Sequence, residues 1–168
     1  MMIYTSIACM ALLATVFGMS FLGKLRNPGP FIQTMRSLVP GPSTIVVAYS
    51  VIGAEGLVVL FFLASMPGAE WAAVTGFFLS GGLTIAFTLA MRRMRGGHCH
   101  CFGRSTALRY STRHVVRNLL LFAAAVTGYA GHGRVGELEA HGIAAALIIG
   151  VTIGSLTVIM DDLFVMLG

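Results

Sequence analysis

Thr44–Ser65, TIVVAYSVIGAEGLVVLFFLAS, carries one charged residue, Glu55, in 22 positions. At 1.5 Å rise per residue, a helix of that length crosses the roughly 30 Å hydrocarbon core of a bilayer. Similar runs recur along the chain. Of its 168 residues, 57% are hydrophobic and only 10% charged, too little polar surface to cover a soluble globule of this size. The Ala, Leu, Gly and Phe content favours helices over barrel strands. The chain therefore reads as an all-α integral membrane protein forming one transmembrane domain, embedded in a plasma or bacterial inner membrane.

Five spans are expected, at about 3–22, 44–65, 71–91, 115–129 and 142–160. The first lacks the basic leading region and small-residue cleavage site of a secretory signal, so it reads as a retained span. Lys24-Leu25-Arg26-Asn27-Pro28-Gly29-Pro30 reads as a loop in which prolines and a glycine break the helix and cations sit at the interface. After it, Phe31, Ile32, Met35, Leu38 and Val39 alternate at helical spacing with Gln33, Thr34, Arg36 and Ser37. This predicts a short amphipathic helix on the membrane surface between spans 1 and 2, ending before Pro40-Gly41-Pro42. Gly81-Gly82 in the third span predicts close packing or a mild kink. Ser111 or Thr112 is the expected cap of the fourth span, and Asp161-Asp162 mark the interface before a short tail.

Between spans 3 and 4, residues 92–113 form the largest polar interruption. Its segment Arg92–Arg104 holds two of the three cysteines, Cys99 and Cys101, with His98, His100 and four of the eleven basic residues. Two thiols with one residue between them close a small, strained ring, whose disulfide is easier to reduce than a relaxed structural one. Imidazoles and guanidiniums nearby favour thiolate, so one cysteine can attack a disulfide while the other resolves the intermediate. His98, His100 and His114 are candidates to assist proton transfer. The same four residues, His98, Cys99, His100 and Cys101, also form a donor set for zinc or copper, although ligands this closely spaced strain a tetrahedral site. A third alternative is a non-catalytic scaffold with reduced cysteines. Cys9, inside the first span and about 20 Å from its hinge-side end at helical rise, reads as a packing residue.

Glu55, near the middle of its span, is costly in lipid and must face a partner or a cavity, or else make a structural hydrogen bond between helices that its flanking glycines bring close. Five spans put the first loop and the hinge on one side, together with every cation except Arg134. The positive-inside rule then predicts a cytoplasmic hinge. The same basicity does not point to nucleic acid, because no soluble basic domain with interleaved aromatics exists here.

Phe21-Leu22-Gly23-Lys24-Leu25, the following Phe31, Glu55-Gly56, Cys99-His100-Cys101-Phe102-Gly103 and Arg117-Asn118-Leu119 together resemble the methylamine-utilisation MauE family, within the broader DoxX-like group of small membrane proteins. The resemblance spans about residues 10–130, and its most specific element is Cys-x-Cys-Phe-Gly followed by Arg-Asn. It implies a four-helix transmembrane core plus a fifth helix, and thiol–disulfide oxidoreductase chemistry with Cys99 and Cys101 as the redox pair. It also implies a thioredoxin-like or other thiol/disulfide protein partner in maturation of methylamine dehydrogenase. A further architectural similarity to vitamin K epoxide reductase implies a membrane quinone as electron acceptor, with Glu55, Lys24, Arg117 and Asn118 as quinone-pocket or helix-anchoring candidates. The implied substrate is extracytoplasmic, opposite to the side that the charge count predicts.

Overall fold

The computed structural model describes residues 2–65, 69–93, 98–99, 108–109, 112–133 and 139–167. The described residues form six helices: α1 (Met2–Arg26), α2 (Pro28–Leu38), α3 (Ser43–Ser65), α4 (Glu70–Arg93), α5 (Thr112–Gly131) and α6 (Ala140–Leu167). Four of them, α1, α3, α4 and α6, are long and apolar enough to cross a membrane, and α5 contributes a shorter apolar stretch, Val115–Gly131. The chain is thus a multi-pass helical membrane protein.

Neighbouring helices pack in the cyclic order α1, α3, α4, α5 and back to α1, which closes a four-helix ring, while α6 lies outside it against α1. Leu13, Val16 and Phe17 of α1, Val58 and Phe62 of α3, Ala73 and Phe77 of α4, and Leu121 and Ala125 of α5 fill the ring. At its centre the Phe62 and Phe77 rings meet edge to face at 5.2 Å, the arrangement that aromatic quadrupoles favour. Cys9 packs half-buried at the edge of this cluster, as its apolar context predicts.

The segment after span 1 differs from the loop expected there. α1 continues through Lys24 to Arg26, and Asn27 alone separates it from α2. The helix does break before Pro28, as expected, but no loop follows: Pro28 and Pro30 lie in the first turn of α2, where their own N–H donors are not needed. The expected amphipathic helix is present as α2. Its buried Phe31 and Met35 lie on Ala48 and Ile52 of α3. The turn into α3 uses Gly41 at φ +118°, a backbone region that suits glycine. There the Thr44 hydroxyl donates to the carbonyls of Val39 at 2.6 Å and Gly41 at 2.8 Å.

At the other end of the chain, α6 runs through Asp161 and Asp162 to Leu167, so no tail begins at the aspartates. α4 is continuous through Gly81-Gly82; Gly81 faces Phe122 and Ala125 of α5, and Gly82 faces open space. α5 opens at Thr112, and Ser111 lies outside the described residues. Within the hinge, a two-residue strand β1 (His98–Cys99) pairs antiparallel with β2 (Leu108–Arg109), in register His98 with Arg109 and Cys99 with Leu108. Nothing in the hinge composition predicts this ladder. β1 lies against α2, so the first connection and the hinge share one end of the bundle.

Helix α6 docks through glycine. A Cβ on Gly150 would lie 2.3 Å from the Ala8 carbonyl oxygen, one on Gly154 2.9 Å from Thr15 Cβ, and one on Gly142 2.5 Å from the Tyr4 ring. The two backbones touch as small-residue membrane interfaces allow. Gly150→Leu is expected to separate α6 from α1 and to cost about 1–3 kcal/mol. Thermal unfolding in detergent, with disulfide trapping between cysteines placed on the two helices, measures both effects.

Candidate functional site

Four elements of the bundle and the surface helix converge on one charged pair. Lys24 lies two residues from the end of α1, and a helical side chain leans back toward its helix N-terminus, here into the bundle. Its ammonium donates to Glu55 Oε1 of α3, and both side chains are 1% exposed. Ser20, one turn before Lys24, donates to the same Oε1 at 3.1 Å. The ammonium also sits 4.4 Å from the centroid of the Phe31 ring on α2 and 4.9 Å from that of Phe87 on α4. The cation thus has aromatic faces on two sides and a carboxylate at its head, while the buried Arg117 brings a second positive charge to the same cluster.

The other carboxylate oxygen, Glu55 Oε2, is buried with no hydrogen-bond partner among the described residues. The cluster encloses a cavity of about 30 Å³, lined by Ser20, Lys24, Glu55, Thr84, Phe87, Arg117 and Asn118 with Val16, Phe17 and Leu121. Arg117 and Asn118, on the second turn of α5, are each 4% exposed. Asn118 Nδ2 donates to Thr88 Oγ1 at 3.3 Å, and Thr84 lies one turn before Thr88 on the same face of α4. All four residues expected to line a pocket or anchor helices are therefore brought together. The space they enclose accepts about one or two waters. It is far too small for a quinone ring.

A larger space opens on the other side of Phe87. Met35 and Leu38 of α2, Val39 just after it, Val47 and Val51 of α3, and Leu83, Ala86, Phe87, Leu89 and Ala90 of α4 line an apolar groove of about 360 Å³. Phe87 is the residue that both spaces share.

Sequence reading counted Lys24 and Arg117 among interfacial cations, whereas both are buried. It also missed Ser20, although a hydroxyl one turn before a lysine is the spacing that puts both on one helix face. Phe87 carried no signal; nothing separates it from the other ten phenylalanines. Of the two glycines beside Glu55, only Gly56 makes a close approach, its notional Cβ 3.0 Å from the Phe21 ring, while Gly53 faces open space. His98 and Cys99 form β1, and His100 and Cys101 lie outside the described residues.

A buried pair broken from one side leaves the other charge stranded, at a cost of about 3–5 kcal/mol, whereas replacing both partners together is often close to neutral. Lys24→Met and Glu55→Gln are each expected to lower stability by that amount, and the Lys24→Met/Glu55→Gln double variant to recover most of it. Thermal unfolding of the four proteins in one detergent checks the cycle.

No curated protein and no solved structure matches the chain. The family model of methylamine utilisation protein MauE matches residues 1–131, which takes in the whole four-helix ring, the surface helix and the cysteine hinge, and stops at the last residue of α5. The chain belongs to the MauE family of membrane proteins involved in methylamine utilisation.

Proposed function

We propose that this protein is a membrane thiol–disulfide oxidoreductase whose Cys99 and Cys101 cycle between dithiol and disulfide. The supporting observation is the seat of Cys99. It lies on a strand packed against α2, the same helix that covers the Lys24–Glu55 pair with Phe31 and lines the apolar groove. Cysteine chemistry at this end of the bundle would therefore border both a polar interior and a lipid-accessible space.

The exchange half needs only the chain's own thiols. A thiolate of a partner protein attacks the Cys99–Cys101 disulfide and forms a mixed disulfide; the partner's second thiolate then displaces the cysteine, leaving the partner oxidised and the pair reduced. His98 and His100 flank the first cysteine in the sequence as candidate proton acceptors and donors. A thioredoxin-like or other thiol/disulfide protein fits as partner.

Reoxidation removes two electrons and two protons from the pair. A membrane quinone, when bound, would supply an acceptor for both. The apolar groove fits such a molecule in size and polarity, and the cavity beside Glu55 does not. Phe87, Met35 and Val51 would pack on its ring, and Leu38 and Val39 at the end of α2 would keep water out. Arg26, Arg36 and Arg92 remain exposed at this end, so a cation excess persists there after Lys24 and Arg117 are set aside, which favours a cytoplasmic hinge.

Differential alkylation with peptide mass analysis tests the cycle in membranes. Cys99 and Cys101 are expected to become disulfide-linked when a soluble quinone is added and free when reductant follows; Cys99→Ser or Cys101→Ser abolishes partner oxidation. Thiols that never oxidise, or that react only after a chelator is added, would replace this function with a scaffold or a metal site. Ala86→Trp, which fills the groove, is expected to slow reoxidation by quinone at least about tenfold and to leave oxidation by diamide unchanged. A membrane-impermeant maleimide on intact and opened cells reports the side of the hinge.

A further inference from the structure

We infer that the hinge end of the bundle is a cationic docking surface for a dithiol protein with an acidic face, which brings its thiols to Cys99 and Cys101; this rests on the dithiol function proposed above. The first support is how charge is distributed along the chain. Residues 1–54 and 71–136 contain no aspartate or glutamate, and they carry all eleven lysines and arginines. Glu55, the acid that the ring supplies at this end, is already bound to Lys24. Glu70 opens α4 at the opposite end, where Glu139 precedes α6. Helix α6 runs parallel to α1, with Gly142 at Tyr4, Gly150 at Ala8 and Gly154 at Thr15. Asp161 and Asp162 therefore come at the hinge end, but on a helix outside the ring.

The second support is where the cations stand. Arg26, Arg36 and Arg92 are exposed. Arg36 shares with Gln33 the outer face of α2, whose inner face buries Phe31, Thr34 and Met35, so its charge is turned away from the bundle. The strand that carries Cys99 lies against this same helix. In the sequence, Arg95 and Arg104 flank the cysteine pair. A topology signal needs cations only near the ends of spans. Here they continue through the hinge and onto the outer face of a helix beside it. The apolar groove, by contrast, has no cation among its described lining residues, so nothing there pairs a lipid chain with an anionic headgroup.

Thiol exchange gives such a surface its use. A partner thiolate attacks the Cys99–Cys101 disulfide; one S–S bond forms as another breaks, and a cysteine leaves as thiolate. The partner's second thiolate then displaces the remaining cysteine, so two electrons pass from partner to pair and the released thiolates take protons from water. Every attacking group is an anion. A surface charge of one sign raises the association rate of an oppositely charged partner about 10–1000-fold, and the gain falls steeply with ionic strength. Acidic residues around the partner's dithiol are therefore attracted to this end of the bundle, and basic ones are repelled. Choice of partner lies in groups that never touch the reacting sulfurs.

The test uses full-length protein, oxidised at Cys99–Cys101, in nanodiscs of phosphatidylcholine. Two synthetic dithiol peptides, alike except that one is flanked by glutamates and the other by lysines, reduce the pair, and their rates are compared per thiolate. The acidic peptide is expected to react at least about tenfold faster at about 10 mM ionic strength, where charge acts over about 30 Å. The gap is expected to close at about 1 M, where that range is about 3 Å. Arg36→Glu/Arg92→Glu, at two exposed positions outside the cysteine pair, is expected to cut the advantage at least about threefold. Equal rates for the two peptides, or an advantage unchanged by high salt or by the double variant, overturn the docking surface and leave the dithiol function standing. Discs that also contain phosphatidylglycerol separate protein from lipid: an advantage that vanishes there assigns the arginines to anionic headgroups and overturns the acidic partner. A pair that never forms a disulfide overturns the dithiol function and the docking surface with it.

Discussion

Neither Lys24 nor Glu55 can stand alone in hydrocarbon, and the rest of the hinge-side architecture follows from that constraint. The pair admits one relative placement of α1 and α3, because the ammonium must meet the carboxylate while Ser20 meets the same oxygen. Phe31 and Phe87 then approach from α2 and α4 to shield the ammonium. A surface helix is thereby held by its aromatic anchor over a buried charge, and not by amphipathicity alone. Because β1 lies against α2, the His98–Cys99 strand shares a neighbour with an ion pair in another part of the sequence.

Two compartments of opposite character result. The smaller, of about 30 Å³, is lined by charged and polar side chains together with apolar ones; the larger, of about 360 Å³, is lined by apolar side chains alone. Phe87 is common to both, presenting a face to Lys24 and also lining the groove. A single aromatic side chain thus stands between the charged pair and a space whose lining suits an apolar molecule.

Much of this was legible before any coordinates. The length and uniformity of the apolar runs determine a helical membrane protein, and the resemblance adds the four-helix ring. Glu55 stood out because a lone carboxylate in mid-span demands an explanation. Its partner did not, since a lysine just before Asn-Pro-Gly-Pro looks interfacial until the helix is known to continue past it and turn the side chain inward. Pro28 and Pro30 misled for a related reason: one residue type ends a helix or begins one, depending on whether the preceding carbonyls are already in a helix. Glycine spacing was equally ambiguous. Gly150 and Gly154 touch α1, while Gly53 and Gly82 face nothing, and no local pattern separates the two sorts. The cavity was invisible because it depends on side chains from α1, α3, α4 and α5 meeting at one depth.

The docking of α6 has a further consequence for how the molecule is made. α6 follows the ring helices in the sequence and packs on α1, and the family match ends before it begins. Until it enters the bilayer, Ala8, Ala11 and Thr15 of α1 have only lipid against them, while the ring from α1 to α5 is already able to close around its own core. Insertion in chain order would thus have two stages: the ring helices enter first, and α6 arrives later to cover a strip of α1. That order leaves an interval during biogenesis in which another membrane helix with a small-residue face could compete for the same strip of α1.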